Sequence, residues 1–172
     1  MAHVVRMLDE HGGEDVFNGR LLHAAVGGAA KAGCVDLAAS LLADLAAKYG
    51  VGDDDARGAK LALVRALLEH TRGVEAVALL DGMAPPTPPQ ATQLVLAAAS
   101  GSHAQLAAML DLVLAWTHAA KDGERAWCLS FDAVERIVAA VPKQLADSLD
   151  ERLDRLRVLA LAQATDVKEP PP

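Results

Sequence analysis

Lysine and arginine are missing from 47 consecutive residues of this 172-residue chain, Val74 through Ala120. Only Glu75, Asp81 and Asp111 carry formal charge in that stretch. Proteins that work along phosphate backbones normally present a basic face, and this chain has a formal net charge of −7. Aromatic residues make up 3% of the sequence, so its core must be built from small aliphatic side chains. The two cysteines, Cys34 and Cys128, lie far apart, with no CxxC pair and no Cys/His ligand spacing. That excludes a disulfide framework and fits a reducing compartment. No apolar run approaches the ~18 residues of a membrane span. Met1–Gly12 carries acids and lacks the regions of a signal or transit peptide. Alternating apolar runs of the kind that build strands are absent as well.

What is abundant is alanine and leucine, with glycine and proline gathered between the apolar segments. Alanine is the strongest helix former, and its small side chain lets helices pack closely. The chain therefore reads as all-α. Helical spacing and turn residues predict helices over Val4–His11, Val16–Ala32, Asp36–Tyr49, Ala56–Thr71, Val74–Met83, Gln90–Ala99, His103–Ala120, Glu124–Val141 (broken near Ser130) and Lys143–Ala164. Gly27-Gly28 falls inside the second of these, at a cost of ~1 kcal/mol per glycine relative to alanine; close helix packing is one reason to keep it. Ala84–Pro89 holds four prolines and reads as an extended linker. In the last helix Leu145, Leu149, Leu153, Leu156 and Ala160 form an apolar stripe, and Glu151 and Arg155 are spaced to pair on its polar side.

A worn repeat runs through these helices. Ala38, Leu41, Leu42 and Leu45 recur as Ala76, Leu79, Leu80 and Met83, 38 residues on. Gly33, Leu41, Leu42 and Leu45 recur as Gly101, Met109, Leu110 and Val113, 68 residues on. The steps of 38 and 30 average 34, the length of one helix–turn–helix unit. One such hairpin cannot bury its apolar face alone, so stacking is required. The expected architecture is an α-solenoid of about four antiparallel hairpins, near 15–50, 55–83, 90–120 and 124–164. They form a single domain over 1–164, followed by a frayed Pro-rich tail, 165–172. Leu42, Leu80 and Leu110 should occupy equivalent buried sites.

The run Lys31-Ala-Gly33-x-Val35-Asp36-x-Ala38-x-x-Leu41-Leu42-x-x-Leu45, closing at Gly50-Val51, resembles the second half of a pentatricopeptide repeat. Met7-Leu8-Asp9-Glu10-His11-Gly12, followed by Asp15-Val16-Phe17-Asn18 and Leu21-Leu22-His23-Ala24, resembles the junction between two such repeats. The resemblance covers residues 4–51 well, extends to Met83, thins over 94–114 and is absent after Glu124. Tetratricopeptide repeats share the hairpin logic. The resemblance implies mitochondrial or other organellar work, usually on single-stranded RNA, with one base read per repeat. The base-reading position would fall on Arg20 or on Ala24, depending on the anchor. The family favours Asn, Ser or Thr there, so both candidates argue against sequence-specific reading.

Two function classes follow. One is a non-catalytic scaffold or interaction subunit of a large organellar assembly, such as a ribosome or respiratory complex. Its protein-docking surface is expected around residues 74–120, where Leu112, Val113, Leu114 and Trp116 exceed what one helix stripe can bury. The other is an RNA-binding repeat protein, with Arg20, Ala24 and the basic cluster Arg57, Lys60 and Arg65 as contacts. The six histidines show no ligand spacing, Cys128 has no nucleophile signature, and no glycine-rich phosphate cradle is present. Neither an enzyme nor a metal, cofactor or small-molecule substrate is expected.

Overall fold

A computed structural model describes residues 15–49, 51–119 and 127–166. The expected helix Val4–His11 and most of the expected frayed tail lie outside the described residues. Within them are eight α-helices and no strand: α1 Asp15–Lys31, α2 Val35–Tyr49, α3 Asp53–Glu69, α4 Gly73–Leu80, α5 Pro88–Ala99, α6 His103–Ala119, α7 Phe131–Ala140 and α8 Lys143–Asp166. None is long and apolar enough to cross a membrane.

Local chemistry sets where these helices begin and end. Gly33, at φ 74°, closes α1 in a left-handed turn. Its N–H reaches the Ala30 carbonyl and the Cys34 N–H reaches that of Ala29, both at 3.0 Å. The same two-bond closure recurs 38 residues later, where Thr71 and Arg72 donate to Leu68 and Leu67. There the left-handed residue is β-branched Thr71, at φ 60°, a strained choice. Pro88 and Pro89 belong to α5 and not to the linker. First-turn amides have no helical acceptor, so proline costs nothing there. Gln90 accepts from the Thr87 N–H and hydroxyl, both at 2.9 Å, to complete the cap. The expected break near Ser130 is the true start of α7. The Ser130 hydroxyl accepts from the Ala133 N–H, and residues 127–130 are not helical. α8 continues through Thr165 and Asp166, two residues into the segment expected to fray.

Each consecutive pair α1–α2, α3–α4, α5–α6 and α7–α8 is in contact. Along the odd-numbered helices α1 touches α3, α3 touches α5, and α5 touches α7. Along the even-numbered ones α4 touches α6 and α6 touches α8, while α2 packs on α1 and α3. One continuous core results, including Leu22 and Val26 of α1, Leu67 and Leu68 of α3, Met109 and Leu110 of α6, and Leu149 of α8. Leu42, Leu80 and Leu110 are all buried.

The apolar surplus expected to form an exposed docking patch is inside the molecule. Val113 is fully buried, Leu114 is 5% exposed and Trp116 8%, and Leu112 is half-buried. The physical reason is that α6 meets α4, α5 and α8, so more than one stripe of it is covered. Trp116 packs edge-on against Trp127, ring centroids 5.5 Å apart, and the Trp127 indole N–H donates to the Pro86 carbonyl at 2.6 Å.

Two of the three acids in the cation-free stretch, Glu75 and Asp111, are paired within the chain. Arg152 of α8 grips Asp111 with two bonds, 2.7 and 3.0 Å. Arg72 bonds Glu75 and Asp36, so it links α4 to the start of α2. Glu75 first and Asp36 second raise the Arg72 pKa above its ordinary value, and Arg72 holds Glu75 below the usual carboxylate range. The expected Glu151–Arg155 pair does not form among the described residues; Arg157 pairs with Glu135 instead, at 2.9 Å.

Gln105 pins three elements together. Its side-chain amide donates to the Leu68 carbonyl at 2.9 Å, and its Oε1 is buried without a partner. A methyl group on Gly73 would sit 2.7 Å from Gln105 Cγ, and one on Gly101 would collide with the Gln105 amide.

A candidate groove across three helices

The first helices of three successive pairs, α1, α3 and α5, share a groove of about 760 Å³. Its α1 wall carries Ala24, Gly27, Gly28 and Lys31, its α3 wall Gly58, Ala62, Arg65 and Ala66, and its α5 end Gln90, Gln93 and Leu94. Small residues recur every three to four positions on both main walls, which is the spacing of one helix face. The hollow follows from that: two helices meet side by side where the facing positions Ala24, Gly27, Gly28, Gly58, Ala62 and Ala66 are too small to fill the seam.

Gly27 and Gly28 were expected to permit close helix packing. They do not serve that purpose. A methyl group on Gly27 would meet only the Ala62 methyl at 3.9 Å, an ordinary contact, and one on Gly28 would meet nothing within 4 Å. α1 and α3 approach tightly at Gly19, where a methyl would come within 2.9 Å of the Asp55 carbonyl oxygen, and at Gly58, where a methyl would lie 3.2 Å from His23 Nδ1. The two mid-helix glycines therefore keep the groove open and give the helix nothing in return.

The sequence-derived candidates divide between two places. Ala24 and Arg65 line the groove, where Arg65 is engaged with Glu69 one turn on at 2.8 Å. Arg20 is exposed on α1, one turn before Ala24 on the same row. Arg57 and Lys60 lie elsewhere on α3, beside a smaller hollow of about 480 Å³ with Asp81, Gly82 and Met83. The Arg57 guanidinium donates to the Pro85 carbonyl. The basic cluster read from the sequence is thus not one patch, because Lys60 and Arg65 point away from each other around the helix. Leu114 and Trp116 are core residues, as described above.

No group of three or more metal-ligating side chains occurs among the described residues. Burial pushes the Cys128 thiol up, the wrong direction for a nucleophile. The groove presents the amides of Gln90 and Gln93, the imidazole of His23, the Arg65–Glu69 ion pair and the Lys31 ammonium above a floor of carbon. What the sequence reading missed was this seam, although Gly58, Ala62 and Ala66 at four-residue spacing opposite Gly27-Gly28 signal it. Comparison of the chain with protein-family models, curated proteins and solved structures gave no match.

Proposed function

We propose that this chain is a non-catalytic interaction module, an α-solenoid of pentatricopeptide-like hairpins that docks a protein segment in the groove of α1, α3 and α5. The observation that carries the reading is the open seam held by Gly27 and Gly28, glycines that cost helix stability and meet no neighbour requiring them. The solenoid reading is supported by contacts between alternate helices, by the common burial of Leu42, Leu80 and Leu110, and by the matching turns at Gly33 and Thr71. Service as a subunit of a larger organellar assembly rests on the family resemblance. The groove lining holds no Phe, Tyr or Trp, and His23 is its one ring, which gives successive bases no stacking platform and favours the protein-docking reading over the RNA-binding alternative.

Site-specific photocrosslinking tests the reading. A photoreactive residue replacing Gln93 in the groove should yield protein adducts in extracts of the source cells. The same residue replacing Asp150 on the exposed side of α8 should not. Equal yields from the two positions, or RNA as the main adduct at position 93, would reject it.

A further inference from the structure

The groove's own charges narrow what it can hold. Arg20, Ala24, Gly28 and Lys31 follow one another along a single face of α1, at steps of three to four residues. Cations stand at the two ends of this row and small residues between them. Neither Arg20 nor Lys31 has an ion-pair partner among the described residues, and both side chains are exposed. The opposite wall adds no net charge, because Arg65 and Glu69 bond each other. In a protein of net charge −7, this row is an unbalanced positive strip beside an open seam. Eleven residues of helix separate the cations, roughly 16 Å at 1.5 Å per residue. Between them the floor is carbon, with the buried Leu61 and Leu94 beneath.

We propose that the groove binds an amphipathic helix that presents small apolar residues to the Gly27–Gly28 seam and carboxylates to Arg20 and Lys31. This rests on the interaction-module reading and adds the chemistry of the partner. A third helix laid along α1 and α3 continues the way the chain's own helices pack, side against side with an apolar stripe in a groove. Its carboxylates meet guanidinium and ammonium groups that none of the described residues neutralises. The rest of the chain's surface, acidic overall, repels the same segment, so charge selects the site as well as strengthening it. Because helical rise is common to both partners, the carboxylates must themselves be about eleven residues apart.

The test uses the full chain and fluorescence anisotropy. The probe is a labelled, end-capped alanine/leucine helix of about 18 residues, with two glutamates about eleven residues apart. The controls are the same peptide with lysines in place of the glutamates, and a single-stranded oligouridylate. The glutamate peptide should bind at least about tenfold more tightly than the lysine peptide, and the preference should vanish in the double variant Arg20→Glu/Lys31→Glu. Gly28→Leu, which places a side chain in space that is now empty, should abolish binding while far-UV circular dichroism stays unchanged. Equal binding of both peptides, still lost in Gly28→Leu, overturns the acidic partner and leaves the interaction module standing. Binding of either peptide unaffected by Gly28→Leu, or no binding of either, overturns the assignment of this occupant to the groove. Oligouridylate binding that displaces the glutamate peptide and is lost in the same variants makes nucleic acid the occupant and overturns both readings.

Discussion

α1 and α6 have the same length, 17 residues, and opposite fates. α6 lies against α4, α5 and α8, and Leu106, Met109, Leu110 and Val113 are fully buried along it. Its exposed positions include Ala104, Asp111 and Ala115, a surface with little need of lysine. α1 contacts α2 and α3, and one of its edges faces a hollow lined by glycine and alanine with Lys31 at its rim; Lys31 and Arg20, one turn before Ala24, have no ion-pair partner among the described residues. By composition α6 is the more apolar helix and α1 the more ordinary one. Apolar excess thus does not locate an interface here. The number of neighbours decides whether an apolar helix is covered, and a docking surface can be marked by what its helices lack.

The largest expected effect tests how deeply α6 is enclosed. Leu110→Ala should destabilise the chain by about 2–5 kcal/mol in chemical denaturation, with Leu42→Ala, in the less enclosed α2, at the lower end of that range. Equal or reversed costs would break the contrast between an enclosed and an edge helix. Next comes the same glycine-to-alanine change at two places. Gly73→Ala drives a methyl into Gln105 and should cost about 1–3 kcal/mol. Gly28→Ala, in empty space, should raise stability by up to about 1 kcal/mol. Opposite signs in thermal melts are the expected outcome, and two losses would mean that the seam is closed. The smallest effect concerns the turn between α3, which packs on α1, and α4, which packs on α6. Thr71→Gly relieves a β-branched residue in a left-handed conformation and should stabilise by about 0.5–1 kcal/mol, less than the strain itself because glycine gains freedom in the unfolded chain. A melting temperature that falls in this variant would show that the Thr71 side chain contributes more than its backbone costs.

Most of the helices were legible in the sequence because their signals are local. Gly33 ends α1 where expected, and the spacing of Leu41, Leu42 and Leu45 placed α2 and its later echoes. Two of the misplaced boundaries turned on a cap, whereas α3 begins three residues before the expected Ala56 with no side-chain cap at Gly52. Pro88 and Pro89 look like linker until Thr87 and Gln90 are seen to form a capping pair on either side of them, and the start of α7 depends on a single hydroxyl at Ser130. The docking surface was misread for a non-local reason. Whether Leu114 and Trp116 are covered depends on where α4 and α8 lie, and no window of sequence contains that. The charge pattern misled in the same way, since Arg152 reaches Asp111 across 41 residues. Of the groove, Ala24 and Arg65 were marked in advance, whereas the seam between them needed two helices in register.

The connection between α4 and α5 carries one more consequence. Its proline carbonyls are held from both sides, Pro85 by Arg57 of α3 and Pro86 by the indole of Trp127 just before α7. A segment that by composition is an extended linker is fastened to residues 28 before it and 41 after it. Force applied to the first two helix pairs therefore passes to the last two without slack at their junction. A partner gripping α1 and α3 would turn the whole array like a lever arm, and motion at one end would be felt at the other.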